Sequence, residues 1–188
     1  MGGGRRAAAR SWRRPAQRSR GRARQWYDVT VKGRFSRQAM ADIDITQAEA
    51  DALIAMEKQC VDDKRLVLPG PGEQLAVSLT SLDKRESSML DVTRAQIKLT
   101  KATYQNRARQ AIILMRLDLD GPPHRNPDDK EIPCPHPHIY REGYADKWAV
   151  PAPTNIYPDP TDLFPTFEAF MRHCNITVPP YIQLELFS

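Results

Sequence analysis

The spacing of apolar residues changes several times along the chain, and each change predicts a new element. Ala50, Leu53 and Val61 recur at helical spacing, which predicts a first helix of about 15 residues. Thr46 and Glu49 have the spacing of a capping box, in which the threonine hydroxyl accepts a hydrogen bond from a backbone amide of the first turn. We therefore expect this helix to begin directly after Thr46.

From residue 75 onward the period becomes two, as in strands that bury one face. Leu75–Leu79, Met89–Val92 and Ile97–Leu99 each alternate in this way and predict three strands. The run Gln110–Asp118 is apolar on both faces, which predicts a central strand covered by a helix on one side. Four strands of one sheet are therefore expected between residues 75 and 118.

A hairpin and a final helix are predicted after these strands. His136–Glu142 and Lys147–Val150 are expected to pair around Gly143. Proline at positions 133, 135 and 137 cannot donate to a ladder, so this strand is expected at a sheet edge. Apolar residues between Leu163 and Cys174 return to helical spacing. The elements together predict an α+β domain over residues 40–188: an antiparallel sheet of five or six strands, with an N-terminal and a C-terminal helix packed on it.

Residues 1–39 differ from the rest of the chain in charge. They contain 12 of the 28 basic residues and one of the 23 acidic residues, a formal charge of +11, whereas residues 40–188 carry −6. The segment is interpreted as a disordered extension that binds nucleic-acid phosphates, as a targeting segment, or as sequence foreign to the natural protein. The last interpretation is favoured because the composition changes at Met40. Since the excess of basic residues is confined to this segment, no function is inferred from the isoelectric point of the whole chain.

Several classes of protein are excluded by composition and motifs. No apolar run reaches the roughly 20 residues of a membrane-spanning helix, so no membrane partner is expected. Cys60, Cys134 and Cys174 are an odd number without a disulfide framework, so reduced thiols in the cytoplasm are expected. The phosphate loops GxxxxGK[ST] and GxGxxG, the hydrolase motif GxSxG and the metalloprotease motif HExxH are absent.

Four segments carry a resemblance to known proteins: ADALIAMEK, LTKATYQNRARQAIILMRLDLDGPPHRNP, EIPCPHPHIYREGYADKWAVP and FEAFMRHCNI. On these segments the chain resembles a family of small bacterial proteins that carry a domain of unknown function. The resemblance covers about residues 40–188. It implies no activity, so function has to be inferred from the residues.

A metal site is the first candidate function. Cys134, His136 and His138 alternate, and an extended backbone would place these three potential ligands on one face. Structural zinc sites favour wider spacing and a second ligand pair, which is missing here. We therefore expect no metal and no other cofactor, with zinc at these three residues as the alternative. Asp118 and Asp120 are interpreted as carboxylates that cap a turn rather than as magnesium ligands.

Basic and aromatic residues are concentrated between residues 94 and 148. Such a surface can hold phosphates and stack bases, so it predicts contact with RNA. The candidate RNA-binding residues are Arg94, Lys98, Lys101, Tyr104, Arg107, Arg109, Tyr140, Arg141 and Trp148. A solvated sheet face with cross-strand charge pairs explains the same residues equally well.

Three of the four histidines lie in this region and raise the hypothesis of metal-independent RNA cleavage. Two imidazoles among His124, His136 and His138 would act as general base and general acid, while Arg116 and Lys147 would stabilise the phosphorane. The histidine pair is expected to project from a rim strand, near enough to Arg141 or Lys147 to share a phosphate. An open cleft in which the pair meets Arg116 or Lys147 would favour catalysis. The sequence thus predicts an RNA-binding or RNA-cleaving protein of toxin or defence type. The alternative is a non-catalytic protein-interaction module, such as an antitoxin-like or inhibitor partner.

Overall fold

The computed structural model of this chain describes residues 44–183. The predictions for residues 1–39, including a disordered extension and a start at Met40, lie outside the described residues. Within residues 44–183 the helices are α1 (Gln47–Ala55) and α2 (Leu163–His173). The strands in chain order are β1 (Lys58–Cys60), β2 (Leu66–Val67), β3 (Gln74–Ser81), β4 (Ser87–Arg94), β5 (Ala102–Ala108), β6 (Ile112–Leu119), β7 (His124–Arg125), β8 (Glu131–Ile132), β9 (His136–Ile139), β10 (Ile176–Val178) and β11 (Ile182–Gln183).

Seven of the strands form one curled sheet in the order β10–β1–β3–β4–β5–β6–β9. Neighbouring strands are antiparallel except β1 and β10, which are parallel. Strand β2 pairs with β11 and β7 with β8 in two small sheets. The α+β class is confirmed, but the sheet is larger than the predicted five or six strands and is not wholly antiparallel. No helix in the described part of the chain is long and apolar enough to cross a membrane.

The first helix is shorter than predicted. Thr46 caps it as expected, since its hydroxyl accepts a hydrogen bond of 3.2 Å from the amide of Glu49. The helix ends at Ala55 because Met56 is extended, and the chain then turns directly into β1. Val61 is exposed and lies beyond β1, so its helical spacing in the sequence was coincidental.

The predicted third strand, Ile97–Leu99, is wrong. These residues lie in the connection between β4 and β5, where Ile97 is 93% and Leu99 59% exposed. The strand that pairs with β4 is β5, whose buried face carries Ala102 and Tyr104 but no aliphatic residue larger than alanine. The hydrophobic alternation of this strand is therefore weak in the sequence.

The predicted hairpin around Gly143 is only partly formed. β9 is the edge strand of the large sheet, as its prolines indicated, but it ends at Ile139. Residues 147–150 form no strand and contact β9 through a bridge between Ala149 and His138. β6, predicted as the central strand, lies between β5 and β9, one position from the edge.

The largest core cluster lies between the sheet and α2. Phe167 and Phe170 are fully buried, and their ring centroids lie 5.0 and 5.9 Å from that of Tyr104 on β5. A second cluster joins α1 to the start of β6 and includes Tyr140. The hydroxyl of Tyr140 donates to the carbonyl of Ile45 and accepts from its amide. The second cluster thus packs α1 against the end of β5, the start of β6 and the residue that follows β9.

A buried lysine joins the carboxyl ends of the two helices. Lys58 is fully buried, and its ammonium group donates to the carbonyl oxygens of Ile54, Met56 and Cys174 at 2.9–3.0 Å. The last carbonyls of a helix have no partner within the helix, so Lys58 supplies donors to both ends at once. Burial lowers the pKa of Lys58 to about 8, although Cys174 opposes this shift.

Candidate functional site

Two rows of polar side chains cross the sheet on the face away from α2. Tyr104 on β5 points into the core, and because side chains alternate along a strand, its neighbours Thr103 and Gln105 point to the opposite face. The first row of cross-strand partners on β4, β5, β6 and β9 is Asp91, Gln105, Arg116 and His138. The second row is Thr93, Thr103, Asp118 and His136. Strand register therefore brings two histidines beside a carboxylate and a guanidinium.

The segment between β6 and β9 folds over these two histidines. Asn126 is buried, and its side-chain amide exchanges two hydrogen bonds of 2.8 Å with the backbone of Ala149. His124 on the same segment has its ring 4.5 Å from that of His138 and 5.8 Å from that of His136. The rings of His136 and His138 are 5.0 Å apart. These three residues are called the histidine cluster below.

Each imidazole of the histidine cluster has one nitrogen held by a backbone carbonyl. The pairs are His124 Nε2 with Lys147 at 3.0 Å, His136 Nδ1 with Pro133 at 3.2 Å and His138 Nδ1 with Asp146 at 2.8 Å. A carbonyl oxygen can only accept, so these nitrogens carry the protons. In the neutral rings, the opposite nitrogens therefore have free lone pairs.

Asp118 lies against two of these opposite nitrogens. Its Oδ2 is 3.3 Å from His138 Nε2 and 3.8 Å from His136 Nε2, and its Oδ1 accepts a 3.0 Å hydrogen bond from Thr103. Burial opposes ionisation of Asp118, yet the contacts with His138, Arg116 and Thr103 lower its pKa to about 2. Burial also lowers the pKa of His136, which favours a neutral ring at pH 7. The site thus holds an ionised carboxylate next to neutral imidazole.

Arg116 occupies the space between two carboxylates. Its Nη1 donates to Asp146, and its Nη2 lies 3.0 Å from His138 Nε2. Its Nε is 3.3 Å from Asp118 Oδ2 but is buried without a hydrogen-bond partner of suitable geometry among the described residues. The guanidinium is therefore the one full positive charge in contact with Asp118 and the histidine cluster in the described part of the chain.

Four of the five predicted catalytic residues come together, but not in the predicted setting. His124, His136, His138 and Arg116 converge, whereas Lys147 contributes its backbone carbonyl. His136 and His138 do lie on an edge strand, but they are 2% and 0% exposed and do not face an open cleft. Their catalytic roles stay predictions, and their burial argues against direct contact between these rings and RNA.

Two of the predicted RNA-binding aromatic residues are buried. Tyr104 lies in the core, and its hydroxyl donates to the carbonyl of Leu163 at 2.8 Å. Tyr140 is buried against α1. Neither ring can stack on a base, which corrects both assignments. Trp148 is half-buried, and the guanidinium of Arg141 lies 3.8 Å over its ring.

Most of the predicted RNA-binding cations already have partners. Arg107 pairs with Asp91 at 2.6 Å and Lys98 with Asp120 at 2.5 Å. The other contacts are Arg109 with Glu49 and Glu86, and Arg94 with the backbone oxygens of Pro69 and Leu99. Lys101 is exposed. These contacts fit a solvated face with charge pairs better than a continuous basic surface.

Cys134, the alternative zinc ligand predicted from the sequence, does not join the three potential ligand atoms that converge in the described part of the chain, which belong to Asp118, His136 and His138. Its Sγ accepts from the amide of Gly121 at 3.0 Å and lies 3.3 Å from the carbonyl oxygen of Asp118. A cavity of about 260 Å³ adjoins this thiol, and no residue of the histidine cluster lines it. All three cysteines of the chain are free.

The position of Asp118 beside the histidine cluster was not predicted, because its pattern with Asp120 was interpreted as a turn cap. Asp120 instead pairs with Lys98 and Thr100. The alternation of Arg116 and Asp118 within an otherwise apolar strand was a usable signal, because it places both charges on one face. The roles of the remaining partners depend on register and loop folding and have no sequence signal; these are Thr103, Asn126 and Asp146.

A protein-family model matches most of the described part of the chain. The model of a "Family of unknown function (DUF6978)" matches residues 45–176, which include both helices and every residue of the site. No curated protein and no solved structure matches the chain. The resemblance to a family of unknown function is thereby confirmed, and the chain belongs to DUF6978, whose description assigns no activity.

Proposed function

We propose that this protein binds a divalent transition-metal ion through Asp118, His136 and His138. The observation that supports the proposal is the convergence of three potential ligand atoms, one from each residue, within 4.8 Å of one another. Both imidazoles have their opposite nitrogen held by a carbonyl, and Asp118 is held by Thr103. Proteins orient metal ligands by such second partners.

Without a metal ion, opposing demands act on His138. Its Nδ1 donates to a carbonyl, so Nε2 of the neutral ring must accept, as the contact with Arg116 requires. A proton on Nε2 would instead be donated to Asp118 Oδ2, 3.3 Å away, so this nitrogen cannot serve Arg116 and Asp118 at the same time. A metal ion would be held by the Nε2 lone pair and the Asp118 carboxylate together.

The two distances from Asp118 to the imidazole nitrogens suit a first-row transition metal. Ligand atoms about 2.1 Å from a tetrahedral zinc ion lie roughly 3.4 Å apart. Asp118 Oδ2 is 3.3 and 3.8 Å from the two imidazole nitrogens. Two imidazoles and one carboxylate are the ligands of catalytic zinc sites with an open position and of iron(II) sites in non-haem enzymes. His124 lies beside His138 but outside this group of ligand atoms, so it is proposed as a nearby base and not as a ligand.

RNA binding, metal-free RNA cleavage and the protein-interaction role remain predictions. Burial of His136 and His138 suits metal ligands better than an acid–base pair, which has to touch its substrate. Residues 44–183 carry 16 basic and 20 acidic side chains, a formal charge of −4, which does not favour nonspecific RNA binding. Metal binding is therefore the function that the geometry supports best.

Elemental analysis tests this proposal directly. Protein purified without chelators is expected to contain one zinc or iron ion per chain. Adding the metal at about 100 times its dissociation constant should raise the melting temperature of the stripped protein by about 5–11 °C. Neither bound metal nor a thermal shift with zinc or iron(II) would refute the proposal.

Replacing Arg116 by methionine is expected to strengthen metal binding by about tenfold or more. The guanidinium lies 3.0 Å from one proposed ligand atom and 3.3 Å from another, so its charge opposes a second cation there. Calorimetric titration of the stripped protein with zinc measures the change. Arg107→Met is the matched control, since Arg107 is equally half-buried but pairs with Asp91 elsewhere on the sheet. Equal affinities in the two variants would contradict a site beside Arg116.

A further inference from the structure

The guanidinium of Arg116 has two edges with different partners. Nη1 is engaged by Asp146. The other edge, Nε and Nη2, faces the metal ligands: Nη2 uses the lone pair of His138 Nε2, and Nε is buried without an acceptor. An arginine edge made of two parallel N–H groups matches two oxygens of an oxyanion.

A metal ion would leave this edge without acceptors, a step that rests on the function proposed above. The ion would take the Nε2 lone pair of His138 to which Nη2 now donates. Nε already lacks a partner, so both donors of the edge would then need one. Unpaired donors on a buried charged group are costly, and an external ligand with oxygen atoms can satisfy them.

The charge of the site changes sign when a metal ion binds. The two carboxylates of Asp118 and Asp146 outweigh the guanidinium of Arg116, and the formal charge of these three side chains is −1. A divalent ion changes this sum to +1. The empty site therefore attracts a cation, and the metal-loaded site attracts an anion.

We infer that the metal-loaded site binds a phosphate group, which bridges the metal ion and the free edge of Arg116. A phosphate offers one oxygen to the metal and two more to Nε and Nη2, whereas a carboxylate has only two oxygens for these three partners. The side chains of Arg116, Asp118 and Asp146 are 23%, 26% and 23% exposed, and the two ligating histidines are closed off. The phosphate must therefore approach past Arg116, whose Nε–Nη2 edge has to turn away from His138 and Asp118 to receive it.

The phosphate can be inorganic phosphate or the phosphate of an ester. The shared chemistry is a tetrahedral oxyanion with at least one terminal oxygen for the metal. A phosphodiester has two free oxygens, so it can occupy the site only by giving up one hydrogen bond to Arg116. The preference between free phosphate, monoester and diester thus follows from the number of free oxygens.

Cobalt(II) in the stripped full-length protein provides the test, because its visible absorption reports changes in ligands. We expect the cobalt spectrum to shift on addition of inorganic phosphate or phenyl phosphate, which both have three free oxygens, and to shift more weakly with dimethyl phosphate, which has two. Arg116→Met should retain cobalt but bind phosphate about tenfold more weakly or worse. Arg107→Met, the matched control, should behave as the wild type.

The outcomes separate the two proposals. If no protein gives a cobalt spectrum, the metal site itself is wrong. If cobalt binds but none of the three anions changes its spectrum up to about 10 mM, the phosphate inference is wrong while the metal site stands. If Arg116→Met and the wild type respond equally to phosphate, the bridging role of Arg116 is overturned.

Discussion

Asp118→Asn is expected to weaken metal binding more than about 100-fold, because it removes the anionic ligand itself, whereas losing a second-shell partner costs 10–100-fold. Asp118 is the only carboxylate of the ligand group in the described residues, and its low pKa keeps it ionised at any pH where a metal could bind. The replacement keeps the size of the side chain. Competition with a chromophoric chelator at pH 7 measures the affinity.

A graded set of variants distinguishes a ligand from a residue that merely supports the fold. Thr103→Val removes the hydrogen bond that orients Asp118 and should weaken metal binding about 10–100-fold. Cys134→Ser should leave the affinity unchanged, since the thiol bonds to the backbone of Gly121 and lies outside the ligand group. Loss of metal from Cys134→Ser with retention in Asp118→Asn would instead support the cysteine-containing set that the sequence predicted as its alternative.

Elements were predicted correctly where the local sequence pattern agrees with the place of those residues in the fold. Thr46 begins α1 because its hydroxyl caps a backbone amide, and the prolines around His136 keep β9 at the edge of the sheet. The strand predicted at Ile97–Leu99 was wrong because the local signal and the position in the fold disagree. Its alternation is real, but the chain places these side chains in solvent, and the paired strand β5 buries alanine and tyrosine instead. Hydrophobic alternation alone does not distinguish a strand from an exposed loop.

The candidate site was predictable only in part. Alternation correctly placed His136 and His138 on one face of the sheet. It also grouped Cys134 with them, but Cys134 precedes β9 and lies outside any strand, so the alternation does not extend to it. The true neighbour, Asp118, is 18 positions away and is brought in by the pairing of β6 with β9. Strand register is set by the whole sheet, so no local pattern could reveal this contact. The segment between β6 and β9 folds over the two rings, and this covering leaves no open cleft around them.

The environment of Lys58 allows a large effect on stability to be predicted. Lys58→Met should lower the free energy of unfolding by about 3 kcal/mol at pH 7, because three carbonyl oxygens lose a charged donor while only part of the loss is recovered by removing a buried charge. In a chain of this size, that change lowers the melting temperature by roughly 6–12 °C. The exposed Lys64→Met is the control and should change stability by less than about 0.5 kcal/mol.

The stabilising effect of Lys58 should also grow with pH. Its pKa is about 8 in the fold and 10.5 in the unfolded chain, so between these values the unfolded chain binds the extra proton and stability rises with pH. The gain reaches about 3 kcal/mol near pH 10.5 and is lost as the pH falls through 8. Burial raises the pKa of the neighbouring Cys174 thiol to about 12 although Lys58 lowers it, so the folded thiol stays protonated at pH 10 in both proteins and its contribution cancels. Urea unfolding at pH 7 and pH 10 should show a wider gap between the two proteins at pH 10; a gap that stays constant would mean that burial does not lower this pKa.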